Sequence, residues 1–223
     1  MIPYIRDHYM YPGAIALDSI AHANTPCCLT TFFMTWGWEN GGQQSFGGYT
    51  SPDFADYDEM QDSVRTAYMR IADSLSTPVA PVGIAWQNAI HDSFPVSLFN
   101  PDGYHPSLAG SYIAACVFYA TFFQRSPLGL AFPDGLSEEH AAWLQAIVDT
   151  TVLLHLPDWN IDPTMPYAPF EFQLFVEQPS SQRPTTDLSL IPFEQSVSPR
   201  PCHRRSASSR VLVVCPSSNS RCV

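Results

Sequence analysis

DGYHPSLAGSYIAACVFYATFF, residues 102–123, is the stretch on which the fold reading turns. Its first six residues, Asp102-Gly103-Tyr104-His105-Pro106-Ser107, have the composition of a tight loop. Ser107 suits the N-cap of a helix that follows at once. Leu108, Tyr112, Cys116, Tyr119 and Phe123 recur at intervals of three and four, predicting an apolar helical stripe, and Pro127 is expected to close it. The loop carries an aspartate and a histidine three residues apart. One chemical reading is a base and its orienter: the carboxylate holds one imidazole nitrogen while the other faces a nucleophile. The other is an Asp-Gly turn followed by a histidine that helps to cap a helix.

Upstream of this block the pattern alternates between helix and strand. Tyr11–Ala23 reads as a helix with Ala14, Leu17, Ile20 and Ala21 on its apolar side, stopped by Asn24-Thr25-Pro26. Cys28–Trp36 (CLTTFFMTW) is β-branched and aromatic and reads as a buried parallel strand. A long Gly/Gln/Ser/aromatic loop follows over 37–54. Asp56–Leu75 is predicted helical, with Met60, Val64, Ala67, Tyr68, Ile71 and Leu75 on one face and acids in its first turn. Pro78–Ala85 (PVAPVGIA) reads as a second short strand, Trp86–Phe94 as a short helix, and Val96–Phe99 as an extended piece that enters the Asp102 loop. A last helix starts at the Ser137 cap with Glu138 and Glu139 and runs to about Leu153. This alternation predicts an α/β fold, a layered sheet with parallel strands.

The chain has 223 residues, a formal net charge of −11 and no lysine, which argues against nucleic acid as a partner because phosphates need a basic surface. Residues 1–181 carry 19 acids and four Arg, whereas residues 182–223 carry two acids and six. That reversal marks a boundary. The expected organisation is a domain over 1–160, an extension over 161–181, and a Ser/Pro/Arg-rich tail over 182–223 that is either disordered or read in a shifted frame. Cys27, Cys28, Cys116, Cys202, Cys215 and Cys222 show no zinc-ligand spacing; Cys28 and Cys116 are expected in the core. No apolar run reaches the ~20 residues of a membrane span. Met1–Asp7 lacks the basic region and apolar run of a signal peptide, so either the protein is cytoplasmic or its true start is missing.

The string over 102–123 resembles the C-terminal catalytic block of the SGNH/GDSL hydrolases, most of all a bacterial branch reading approximately D-x-x-H-P-S-x-x-G-S-Y-x-A-A. Weaker resemblance continues through CLTTFFMTWGWENGG and APVGIAW and covers about residues 9–155. It implies a three-layer α/β/α sandwich with a parallel sheet, flavodoxin-like, and hydrolysis of acyl or carbohydrate esters without a cofactor. His105 would be the general base and Asp102 its orienter. The Gly-Asn/Asp-Ser turn that bears the family's nucleophile has no counterpart here, so the resemblance implies an N-terminally truncated chain, inactive alone.

Trp36, Trp38, Phe46 and Tyr49 stand among glycines in the loop that follows the first strand. They suit either a stacking wall for a sugar or acyl group, with Trp36, Trp38 and Asn40 as candidate substrate contacts, or a surface loop whose aromatics pack on the core. Asn40 follows a later strand than the family's oxyanion asparagine and is not assigned that role. Glu39 has no evident partner acid for glycoside hydrolysis. His22, His91, His140 and His155 lack metal-ligand spacing. Two rivals to the esterase remain: a non-catalytic carbohydrate-binding module on a degenerate hydrolase scaffold, and a chain that never folds stably.

Overall fold

A computed structural model describes residues 1–24 and 28–164 and the backbone of 211–214. The elements in chain order are α1 (Pro3–Ile5), α2 (Tyr11–Asn24), β1 (Leu29–Phe33), β2 (Ser45–Phe46), β3 (Tyr49–Thr50), α3 (Tyr57–Leu75), β4 (Val79–Ala80), α4 (Val82–His91), α5 (Leu108–Phe123), α6 (Glu138–Val148) and β5 (Val211–Val214). The protein is a mixed α/β structure, mostly helical, around a short sheet of order β4-β1-β5. β1, α3 and β4 form a βαβ unit in which Phe32 pairs with Val79 and Phe33 with Ala80 in parallel. β5 runs antiparallel to β1, with Leu29 opposite Val214 and Phe32 opposite Val211, so the sheet is not wholly parallel. The expected extension over 161–181 and tail over 182–223 otherwise lie outside the described residues, apart from 161–164, as does the Thr25-Pro26 stop.

Strand β1 forms where Thr30, Thr31 and Phe32 are all buried, the double-sided burial that selects β-branched and aromatic residues. Helix α3 starts where the Asp56 side chain accepts from the Glu59 N–H at 2.9 Å, and Glu59 in turn accepts from the Ala55 N–H at 2.7 Å. The expected face of α3 is buried, with Leu75 at its edge. Helix α6 begins at Ser137, which accepts from the His140 N–H, and passes at Asp149 into one π-helical turn ending at Leu153. Cys28 and Cys116 are both buried.

Four expectations are corrected. In α2 only Ala14 is fully buried, while Leu17 is 44% and Ile20 58% exposed; a sheet of three short strands cannot cover the helix along its length. The strand expected over Pro78–Ala85 is only Val79–Ala80, because the chain turns at Pro81 into α4. Val82, Gly83, Ile84 and Ala85 are buried helix, and a buried helical turn has the same apolar run as a buried strand. Among the described residues Val96–Phe99 does not join the sheet, and its one ladder contact is an antiparallel bridge from Phe99 to Pro106. Finally, α5 presents Ala109, Gly110, Ile113, Val117 and Ala120 to the core beside the expected Tyr112 and Cys116, whereas Leu108 is exposed and Tyr119 and Phe123 are half-buried. The helix ends at Gln124 in the left-handed conformation, before Pro127.

The reason for that rotation of α5 is Trp86. Its indole is fully buried, stacks on Trp36 at 4.1 Å between centroids, and meets Phe99 edge-on at 4.9 Å. Gly110 lies against the same indole and against the Leu98 carbonyl, so small residues must face inward there. Among the described residues no helix is long and apolar enough to cross a membrane.

Candidate functional site

The Asp102 loop is closed by its own backbone. The Gly103 N–H donates to the Asn100 carbonyl at 2.9 Å, the Asn100 N–H to the His105 carbonyl at 2.8 Å, and the Ser107 N–H to the Leu98 carbonyl at 2.8 Å. Gly103 takes a φ of 65°, which its lack of a Cβ allows. Ser107 caps α5 by accepting from the Gly110 N–H at 3.2 Å and donates its own hydroxyl to the Ser97 carbonyl at 2.8 Å. A hydroxyl tied up in both directions is no nucleophile.

Within that frame Asp102 uses both carboxylate oxygens. Oδ1 accepts from the N–H groups of Tyr104 and His105, each at 2.9 Å. Oδ2 lies 2.7 Å from His105 Nδ1. The hydrogen bond from the His105 ring, followed by those from the two amides, holds the Asp102 carboxyl down at about 2. The carboxylate therefore stays charged at neutral pH and selects the His105 tautomer with its proton on Nδ1, leaving Nε2 with a lone pair. The imidazole side chain is 65% exposed, and among the described residues no hydroxyl or thiol hydrogen-bonds to it.

Asp–His contact alone does not single out this pair. His91 lies 2.9 Å from Asp58, His155 lies 3.1 Å from Asp158, and His22 lies 3.4 Å from Asp18. What sets Asp102 apart is the pair of backbone amides that fix its carboxylate, together with what surrounds the loop.

Those surroundings come from the segment after β1. The Trp36 indole N–H donates to the Tyr104 carbonyl at 3.0 Å, the Glu39 N–H donates to the Gly103 carbonyl at 2.9 Å, and Trp38 meets the Tyr104 ring edge-on at 5.9 Å. Trp36 and Trp38 are both half-buried and brace the loop. Asn40 is exposed in the next turn, and its side chain makes no hydrogen bond among the described residues. Phe46 and Tyr49 pair across the β2–β3 hairpin and are 66% and 41% exposed. Gly47-Gly48 between them is the hairpin signal in the sequence.

Gln61 is a positioning residue that the sequence reading passed over. It is fully buried; its Oε1 accepts from the Gly37 N–H at 2.8 Å and its amide nitrogen donates to the Thr35 carbonyl at 3.3 Å. It thus satisfies the backbone where the chain leaves β1 for Trp36 and Trp38. The signal for it was a glutamine on the inward face of α3, one turn before Val64.

No protein-family model matches the chain, and no curated protein matches it. Among solved structures it is similar to a DUF4886 family protein from Bacteroides uniformis ATCC 8492, with 25% identity and a TM-score of 0.46. That similarity covers 57% of this chain and 48% of the other, so the chain spans about half the length of the structure it matches.

Proposed function

We propose that this chain carries the base and orienter of an SGNH/GDSL-type serine ester hydrolase, on a sheet that belongs to a three-layer α/β/α sandwich. The observation that carries the reading is the Asp102–His105 contact of 2.7 Å with the carboxylate's other oxygen held by two amides. In that geometry His105 Nε2 takes the proton of a serine hydroxyl as it attacks the ester carbonyl. The same proton then goes to the leaving alcohol. Asp102 orients the ring and offsets the transient imidazolium charge. In the second half-reaction a water gives its proton to Nε2 as its oxygen bonds to the acyl carbon, and Nε2 passes that proton to the serine oxygen as the acyl group leaves as a carboxylic acid. The reading requires a serine that the described residues do not present to His105.

The test begins with sequencing the locus upstream of Met1 and through codon 178. A Gly-x-Ser block upstream, in any frame, is expected. Residues 1–223 alone should show no fluorophosphonate labelling and no p-nitrophenyl acetate turnover above background. The extended chain should show both, with His105→Ala removing turnover. An extended locus without a serine block refutes the reading, as does a robust rate from residues 1–223 that His105→Ala leaves unchanged.

The exposed Phe46 and Tyr49 of the β2–β3 hairpin favour a second reading, a carbohydrate-binding surface without catalysis. Glycan titration distinguishes it: binding that Phe46→Ala abolishes and His105→Ala spares supports it, and absence of binding removes it.

A further inference from the structure

A cavity of about 200 Å³ lies beside the Asp102 loop and takes no part in the chemistry above. The first residue of α3, the last turn of α4 and the segment 94–99 line it, through Tyr57, Ile90, Phe94, Leu98 and Phe99, with Glu39 on its rim, and it opens to solvent where Glu39, Ile90 and Val96 are exposed. It is smaller than the roughly 300 Å³ at which pockets begin to take drug-sized ligands, so its occupant is small.

The polar groups of the aromatic wall are already engaged. The Tyr57 hydroxyl donates to the Gly83 carbonyl at 2.9 Å. The Ser97 hydroxyl, also on the wall, is bonded to the Phe99 backbone. Glu39 differs. Its main chain is pinned by the bond to the Gly103 carbonyl, and its side chain lies close to Gly103, where an added Cβ would stand 3.2 Å from Oε2. Its carboxylate has no hydrogen bond and no ion pair among the described residues. It is also the one charged side chain on the cavity wall.

An exposed carboxylate with no partner among the described residues, on the rim of an otherwise largely apolar and aromatic wall, discriminates by charge. It repels carboxylates, gains little from a neutral hydroxyl, and attracts an ammonium whose apolar part fills the cavity; the aromatic side chains add cation–π attraction. The net charge of −11 raises the local concentration of cations around the protein. We infer that this cavity is a binding site for a small organic ammonium, a short alkyl or single aromatic group with a cationic head, recognised by Glu39. The inference does not depend on ester hydrolysis, since it concerns binding alone.

The test is isothermal titration of the full chain at pH 7 and 0.15 M salt with benzylammonium, benzyl alcohol and benzoate, which share one ring. Benzylammonium should bind about tenfold more tightly than benzyl alcohol, and benzoate should not bind. Glu39→Gln, which breaks no hydrogen bond of the fold, should make ammonium and alcohol equal. Ile90→Ala should weaken both by the same factor. Equal affinity for ammonium and alcohol in the unaltered protein overturns the proposal. So does an ammonium preference that survives Glu39→Gln, which would mark general attraction to an acidic surface, and so does an absence of binding by all three.

Discussion

Gly110→Ala and Gly13→Ala make the same chemical change in two helices and should move stability in opposite directions. Both glycines lie inside helices, Gly110 in the first turn of α5 and Gly13 in α2. A Cβ at Gly13 meets nothing within 4 Å. A Cβ at Gly110 would fall far inside contact distance of the Leu98 carbonyl oxygen and 2.6 Å from Cζ2 of the buried Trp86. Neither neighbour can step aside: the carbonyl already accepts from the Ser107 N–H, and the indole is held between Trp36 and Phe99. Overpacking of this kind costs about 1–3 kcal/mol, and contact with backbone and a fixed ring places it near ~3. Replacing glycine by alanine in a helix returns up to about 1 kcal/mol, leaving a net loss of about 2 kcal/mol for Gly110→Ala. With an m-value of about 2–3 kcal/mol/M in urea, the midpoint should fall by about 0.7–1 M, and Gly13→Ala should raise it by up to ~0.5 M. Urea unfolding followed by tryptophan fluorescence and circular dichroism reads both. A Gly110→Ala midpoint at or above that of the unaltered chain would refute the packing argument. A broad transition in the unaltered chain, different by the two probes, would instead favour the chain that does not fold stably.

The Asp102 carboxyl should titrate at about 2 by carbon-detected NMR, and His105→Ala, which removes the largest cause of the depression, should move it back towards the ordinary 3.8. Because this pKa is lowered on folding, the stabilisation it brings to the loop is complete above pH ~4 and is lost as the pH falls through about 2; loop amide shifts that stay constant from pH 5 to 2 would contradict this. Ser107→Ala removes the cap of α5 and should cost about 1 kcal/mol by urea unfolding, with an unchanged midpoint counting against the cap. Burial pushes the Cys116 thiol up to about 11, so peptide mapping after iodoacetamide at pH 8 should find Cys116 unmodified in the folded chain and alkylated in urea.

The features legible in the sequence are those whose causes lie within one or two turns of chain. The caps Ser107 and Ser137 are written beside the amides they satisfy, the buried face of α3 follows its own periodicity, and Asp102 meets His105 because three residues of loop bring them together. What only the tertiary structure decided depends on contacts between distant segments. Pro81 starts α4 against the end of β1, where the Gly83 N–H reaches the Met34 carbonyl, and no local period distinguishes that buried helix from a strand. The inward face of α5 was chosen by Trp86, which demands Gly110 and alanine where its own pattern favoured Leu108 and Tyr119. The bracing of the Asp102 loop by Trp36, Trp38 and Glu39 joins residues more than sixty positions apart. Hydrogen bonds across a few residues are set by the chain's own geometry; contacts across sixty are set by which surfaces remain to be buried once the helices and the short sheet have packed.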